Sequence, residues 1–146
     1  MHMKGDGGME MLEANKELVA RYYDEILTKR NLTAFAEIFA PDFQCYTTEG
    51  PAVNLEQYKQ AVNLTHLAFP DLQIAIADQI AAGDKVVTRW TGTGTHQGNF
   101  LGFPPTGKQF TISAIHIHQI SSGRIVGLWE AINLHLILFQ LGVLPH

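Results

Sequence analysis

Three side chains stand out by type and spacing. His116 and His118 alternate along a mostly apolar run, Gln109 to Ile120, and Glu130 sits alone among apolar neighbours in a second run, Arg124 to Ile132. Burial among apolar groups penalises a carboxylate's charged form and raises its pKa, which suits it to give and take protons near neutral pH. An imidazole beside it can orient a carbonyl or shuttle a proton. His-x-His with a carboxylate as third donor is also a ligand pattern for zinc or non-haem iron, although no neighbouring residue in the sequence is placed to orient such ligands.

Whether these groups meet depends on the turn between the runs, Ser121-Ser122-Gly123. Side chains alternate between the two faces of a strand. A three-residue loop with Gly123 in the left-handed conformation sets Ile120 opposite Arg124. Phe110, Ile112, Ala114, His116 and His118 then share a face with Val126, Leu128, Glu130 and Ile132. Glu130 falls opposite Ala114 and diagonal to His116, at roughly 7–8 Å between backbones. A two-residue loop would put His116 and Glu130 on opposite faces. Phe110, Ile112 and Leu128 supply the apolar surroundings for Glu130, and Trp90 is the wall candidate for a flat ring system. Ile115, Ile117, Ile125, Trp129 and Ala131 point the other way. A solvated sheet face should be mostly polar, so this one is expected to be covered by a second subunit in a homodimer, or otherwise by the chain's own terminal helix.

The elements that must hold these strands can be read from periodicity. Leu12, Val19, Tyr22, Tyr23 and Ile26 give a helix over Met9 to Lys29. A short helix, Leu32 to Phe39, follows with Asn31 as N-cap and Pro41 as its stop. Phe43 to Thr47 is a strand at the sheet edge. Asn54 caps a third helix, Leu55 to Phe69, ended by Pro70. Leu72 to Ala82 and Lys85 to Gln97 are strands joined at Gly83-Asp84. Residues 98–108 form a Gly- and Pro-rich loop, and Gly94, Gly98, Gly102 and Gly107 are expected to need φ > 0. Asn133 to Leu141 is helical and stops at Gly142. Helices first, then antiparallel strands, then a terminal helix define an α+β fold with helices on one face of a twisted sheet. Strongly curved, such a sheet makes a cone whose mouth is a natural small-molecule pocket.

The chain has 146 residues, 46% of them hydrophobic, enough for one domain with a sizeable core. Residues 1–8 read as a flexible leader and 9–146 as a single domain. A formal charge of −4 without a long basic run argues against nucleic acid as a partner. Cys45 is the single cysteine, which excludes an internal disulfide and suits the cytoplasm. No apolar run is long enough to span a bilayer, and no membrane partner is expected. His96, His66, His135 and Cys45 read as structural or surface groups, and Asp42 and Asp71 as turn residues.

Two further runs carry a resemblance. Gly94-Thr95-His96-Gln97-Gly98 with Gly102-Phe103-Pro104-Pro105-Thr106-Gly107-Lys108, and Ser122-Gly123-Arg124-Ile125-Val126, Trp129 and Phe139-Gln140-Leu141-Gly142-Val143-Leu144-Pro145, resemble the SnoaL-like polyketide cyclases, the ester-cyclase-like group. The opening helix and Phe39-Ala40-Pro41-Asp42-Phe43 fit as well. The resemblance implies an NTF2-like cone, an oligomer, and no metal or cofactor. It also implies intramolecular aldol closure of a polyketide ring by an aspartate acid/base with a nearby histidine. Glu130 and His116 fall where those two groups lie, while His118, Trp90, Phe110, Ile112 and Leu128 would surround a small hydrophobic ligand. Glutamate replaces the shorter aspartate, Cys45 stands where a polar side chain is usual, and Asn133 stands where many members have aspartate. A binding protein without turnover, or a ketosteroid-isomerase-like isomerase or hydratase, would use the same residue types.

Overall fold

The computed structural model describes residues 2–47 and 50–144, with side chains from Gly8 onward. Helix α1 runs His2–Arg21, so its backbone begins inside the stretch read as a leader. It continues through Tyr22–Thr28 as a wider, π-wound segment. In an α-helix successive side chains point about 100° apart. The wider winding lets the adjacent Tyr22 and Tyr23 both turn inward, each about 1% exposed. Such insertions recur at functional sites, and both rings reach the site described below.

A single 3-10 turn, Leu32–Ala34, leads into the short α2, Phe35–Ile38. Asn31 does not cap it; its side-chain oxygen instead accepts the Thr33 hydroxyl at 2.6 Å. β1 is Phe39–Thr47. Pro41 therefore lies inside a strand rather than beyond a helix. It is tolerated because the pairing with β6 is irregular between Phe39 and Gln44, where a missing N–H costs no ladder bond. β2, Val53–Asn54, pairs only with Gln44 and Cys45, which makes β2 the edge and β1 its neighbour. α3 is Leu55–Ala68, opened by the expected Asn54 cap. Asn54 accepts from Gln57 N–H at 2.9 Å and Gln57 returns the bond at 2.9 Å, a reciprocal capping box.

β3 (Gln73–Ala82), β4 (Lys85–Thr95), β5 (Gln109–Ser121) and β6 (Arg124–Ala131) follow, then α4 (Leu134–Gln140), capped by Asn133. The six strands form one sheet in the order β2-β1-β6-β5-β4-β3, antiparallel except for β1 beside β6. α1 with its π-wound end, α3 and α4 cover one face, where the core lies around Tyr22, Phe39, Phe43, Phe69 and Leu128.

The β5–β6 turn differs from expectation in two compensating ways. Ser121 pairs with Arg124, so the loop has two residues, Ser122 and Gly123, both at positive φ (51° and 73°), the pair of left-handed residues that tight hairpins prefer. That alone would separate His116 from Glu130. The register then shifts between Gln119 and Ile120, leaving Val126 as the extra residue of a bulge. The bulge restores the shared face and moves the pairing by two residues. Glu130 is directly opposite His116, not diagonal to it. The two-residue turn also sets Ile125, expected on the outer face, opposite the inward-facing Ile120, so it lies in the core at 0% exposure.

Of the four glycines expected to need positive φ, Gly102 and Gly107 have it, whereas Gly94, inside β4, and Gly98 do not. Gly98 is required by close approach: an added methyl would overlap the Leu67 carbonyl at the end of α3. Its N–H bonds to Ala68 O at 3.1 Å, so the segment cannot move aside without losing that bond. Gly98→Ala is expected to cost about 1–3 kcal/mol, as overpacking does, read as a lowered urea midpoint.

Candidate active site

Register places one polar row across the helix-covered face. Thr47 in β1 pairs with Glu130 in β6, Glu130 with His116 in β5, His116 with Thr88 in β4, and Thr88 with Gln79 in β3. Five strands thus each contribute one polar residue to a face otherwise lined by Phe110, Ile112, Ala114 and Trp90. Thr88 is 0% and His116 3% exposed, so the middle of the row is sealed from water.

Beside the row lies a cavity of about 620 Å³. Glu130, His116, Trp90, Phe110 and Ile112 form its sheet wall. Tyr22 and Leu27 come from the π-wound segment, Tyr58, Val62, Thr65 and Phe69 from α3 and the residue after it, and Phe100 from the 96–108 loop. Asn133, Leu134, His135 and Ile137 close the mouth from α4 and its cap.

Two expected ligand contacts are not part of this wall. His118 and Leu128 face each other one pleat nearer the turn, both 0% exposed, and neither lines the cavity. His118 lies near the turn end of β5, yet it is out of reach of solvent. It is sealed because Tyr22 and Tyr23 lie edge-on against its ring, with centroids 5.3 and 5.9 Å away. Both of its ring nitrogens are buried without a partner.

Glu130 and His116 approach to 3.7 Å between Oε2 and Nε2, too long for a direct hydrogen bond. Burial drives both toward their neutral forms. Desolvation raises the Glu130 carboxyl above its ordinary range and holds His116 down to about 3. The contact is therefore between a neutral imidazole and a proton-exchanging carboxyl group, not a salt bridge. The Glu130 side chain keeps 22% exposure, and it carries the polar atoms that reach the cavity from this pair, since His116 Nε2 is covered. On its other side His116 Nδ1 meets Tyr23 Oη at 2.9 Å. Tyr22 and Tyr58 hydroxyls bond to each other in the cavity wall.

From the sequence, Tyr22 and Tyr23 mark only the apolar side of the first helix, and Thr88 and Gln79 do not stand out. The available signal was parity: both fall on the inward face once β4 and β5 are in register. His96, by contrast, is structural as expected. Its Nδ1 accepts the Thr106 N–H at 3.2 Å and its backbone closes the neck of the 96–108 loop against Lys108. His66 is core, bonding Leu27 O at 2.9 Å. His135 is exposed on the cavity lip. Among the described residues no three histidine, cysteine or carboxylate side chains are grouped to hold a metal ion. No described helix is long and apolar enough to cross a membrane.

Helices wrapped over a curved six-stranded sheet, with a carboxyl group in the wall of an apolar pocket, define an NTF2-like α+β cone. The chain belongs to the SnoaL-like polyketide cyclase family, whose sequence profile matches residues 17–141. Among solved structures it is similar to AclR of Streptomyces galilaeus, a proposed hydroxylase. The two share 28% identity and a TM-score of 0.83, covering 92% of this chain and 85% of that one. It is similar too to IdmH of Streptomyces antibioticus, a proposed polyketide cyclase, at 29% identity and TM-score 0.78 over 88% and 99% of the two chains. A SnoaL-like protein of Jannaschia sp. CCS1 shares the fold at TM-score 0.83 and 24% identity, over 91% and 94%. No curated protein sequence matches the chain significantly.

Proposed function

We propose that this protein is a cofactor-independent acid/base catalyst of intramolecular aldol-type ring closure on a small hydrophobic carbonyl compound, with Glu130 as the reacting group. The observation that carries this is a desolvated carboxyl group in the wall of a 620 Å³ cavity whose other walls are largely apolar and aromatic. The ionised carboxylate removes a proton from the carbon between two carbonyls. That carbon attacks a second carbonyl of the same molecule, a C–C bond forms, and the protonated Glu130 returns its proton to the new alkoxide. Atoms balance without an oxidant, and the product is an isomer of the substrate. Apolar walls exclude water from the enolate, and Trp90 and Phe110 offer faces to a planar ring. IdmH, a proposed cyclase at 29% identity, supports the same direction.

The test is incubation with β-keto and polycyclic carbonyl compounds in heavy water, followed by mass spectrometry and NMR. Ring closure gives an isomer with a new C–C bond. A ketosteroid-isomerase-like reaction gives a moved double bond instead, and a binding protein gives saturable ligand shifts with neither α-deuteration nor product. Either of the last two outcomes removes the cyclase reading. A cytoplasmic setting suits a chain whose single cysteine is free and buried.

We also infer that the outer sheet face meets a second copy of the chain. Register aligns Tyr46, Trp129, Ile117, Val87 and Ile80 in one apolar row across five strands. Trp129 and Ile80 are 37% and 62% exposed. Tyr46 stacks on Trp129 at 5.0 Å, giving a broad flat surface of the kind that sheets bury face to face. Trp129→Glu is expected to convert a dimer to a monomer in sedimentation velocity; a wild-type chain that sediments as a monomer at micromolar concentration ends this inference.

A further inference from the structure

His116 can act on Glu130 in two opposite ways. A neutral ring with its proton on Nε2 offers a donor to the carboxylate; one with its proton on Nδ1 turns a lone pair toward it and repels the charge. The polar row bears on which tautomer is present.

The chain of bonds begins at the backbone of α1. Lys16 O accepts from the Gln79 side chain at 3.3 Å. A carbonyl can only accept, so the atom facing it is the amide nitrogen, which fixes the orientation of the Gln79 amide. The same Nε2 lies 3.3 Å from Thr88 Oγ1. Thr88 therefore accepts from Gln79, and its one proton is left to be donated onward. Its hydroxyl is fully buried, and Thr88 favours the ionised form of the Tyr23 phenol, as a side chain donating its proton to that oxygen does. With that bond accepted, the Tyr23 phenol proton points to His116 Nδ1, 2.9 Å away. An Nδ1 that accepts forces the ring proton onto Nε2, 3.7 Å from Glu130 Oε2.

We propose that Gln79, Thr88 and Tyr23 are positioning residues that fix His116 as the Nε2–H tautomer, so that it acts as a hydrogen-bond donor to Glu130 and never as a base. The direction is set by an obligate donor on β3, three strands away from the carboxylate it serves. Its consequence for turnover rests on Glu130 being the reacting group, but the tautomer itself does not. Burial works in the same sense, since a ring held neutral at working pH has one proton to place. His116 donation would steady the carboxylate that burial destabilises, closing from 3.7 Å as Glu130 ionises.

The test is the ¹⁵N spectrum of the histidine rings at neutral pH without substrate, with His116 assigned by its loss in His116→Gln. In the wild type Nδ1 is expected at the pyridine-like position and Nε2 at the pyrrole-like position. The decisive comparison is Gln79→Glu, because the free ring already favours Nε2–H. A carboxylate at position 79 can only accept, so Thr88 turns its proton back toward β3. Tyr23 then donates to Thr88 and accepts from His116, and the two ring resonances exchange character. Thr88→Val, which removes the link while keeping the shape, is expected to leave a mixture of tautomers. A wild-type Nδ1–H ring overturns the assignment. So does an Nε2–H ring that persists unmixed in whichever of the two variants folds. Turnover plays no part in these readings, so the cyclase proposal can fail while the directed row stands, and the reverse.

Discussion

Glu130→Gln is expected to lower turnover of any accepted carbonyl compound by about 10²–10⁴-fold, and at neutral pH to give a chain more stable than the wild type. The two effects share one cause. The carboxyl group is desolvated in the folded state and its pKa lies above the ordinary value. Below about pH 4.3, the unperturbed value for glutamate, folded and unfolded chains are both protonated and the residue costs nothing. As pH rises from there the unfolded chain releases its proton first, so the folded state holds more protons and stability falls. That loss is complete once the pH passes the folded pKa. Glutamine has no such loss, and its amide oxygen still faces His116 Nε2. The stability difference between variant and wild type should thus be near zero at pH 4 and grow toward pH 7, measured as urea midpoints. A variant with undiminished turnover removes Glu130 from the mechanism. A variant destabilised equally at every pH makes the carboxyl group a structural hydrogen-bonding partner instead.

The α3 cap at Asn54 with Gln57, the tight turn at Gly83-Asp84 and the stop at Gly142 follow from local rules, and all three are in place. His116 and Glu130 do share a face, but the route to that expectation was wrong. The turn is one residue shorter than supposed, and the bulge at Val126 adds the residue back. Bulges depend on how a sheet twists against its neighbours, here the parallel β1, and leave no local mark in Arg124-Ile125-Val126. The same limit applies to the π-wound turn. Tyr22 and Tyr23 both face inward only because the helix widens to fill the closed end of the cone, where it seals His118. Gly98 reads like a loop glycine of positive φ, yet its reason is a carbonyl of α3 that arrives from 31 residues away. Local chemistry was legible; the contacts that aim it are tertiary.

His118→Leu is expected to leave the chain folded, at least as stable at pH 7, and markedly more resistant to acid. Two buried histidines shape the acid limb. His116 is held at about 3 and His118 well below its ordinary value, both chiefly by desolvation. Above about pH 6.5, the value for an unfolded histidine, neither state binds these protons and neither residue has any effect. Below it the unfolded chain takes up protons that the folded chain refuses, so stability falls as pH falls. For His116 the loss is about 2 kcal/mol by pH 5. His118 adds in the same direction, against a total of about 5–15 kcal/mol for a domain. Glu130, whose folded pKa is raised, works the other way and offsets part of this. Removing His118 deletes one of the two losses. It also deletes two ring nitrogens without partners, a burial that ordinarily costs about 1–3 kcal/mol, while leucine keeps the apolar contact to Leu128. Urea midpoints at pH 7 and pH 5 decide the matter. The wild type should lose distinctly more between the two than the variant does. If the two chains fall in parallel, His118 accepts a proton while folded, and the closed end of the cone must admit water that Tyr22 and Tyr23 are here seen to exclude.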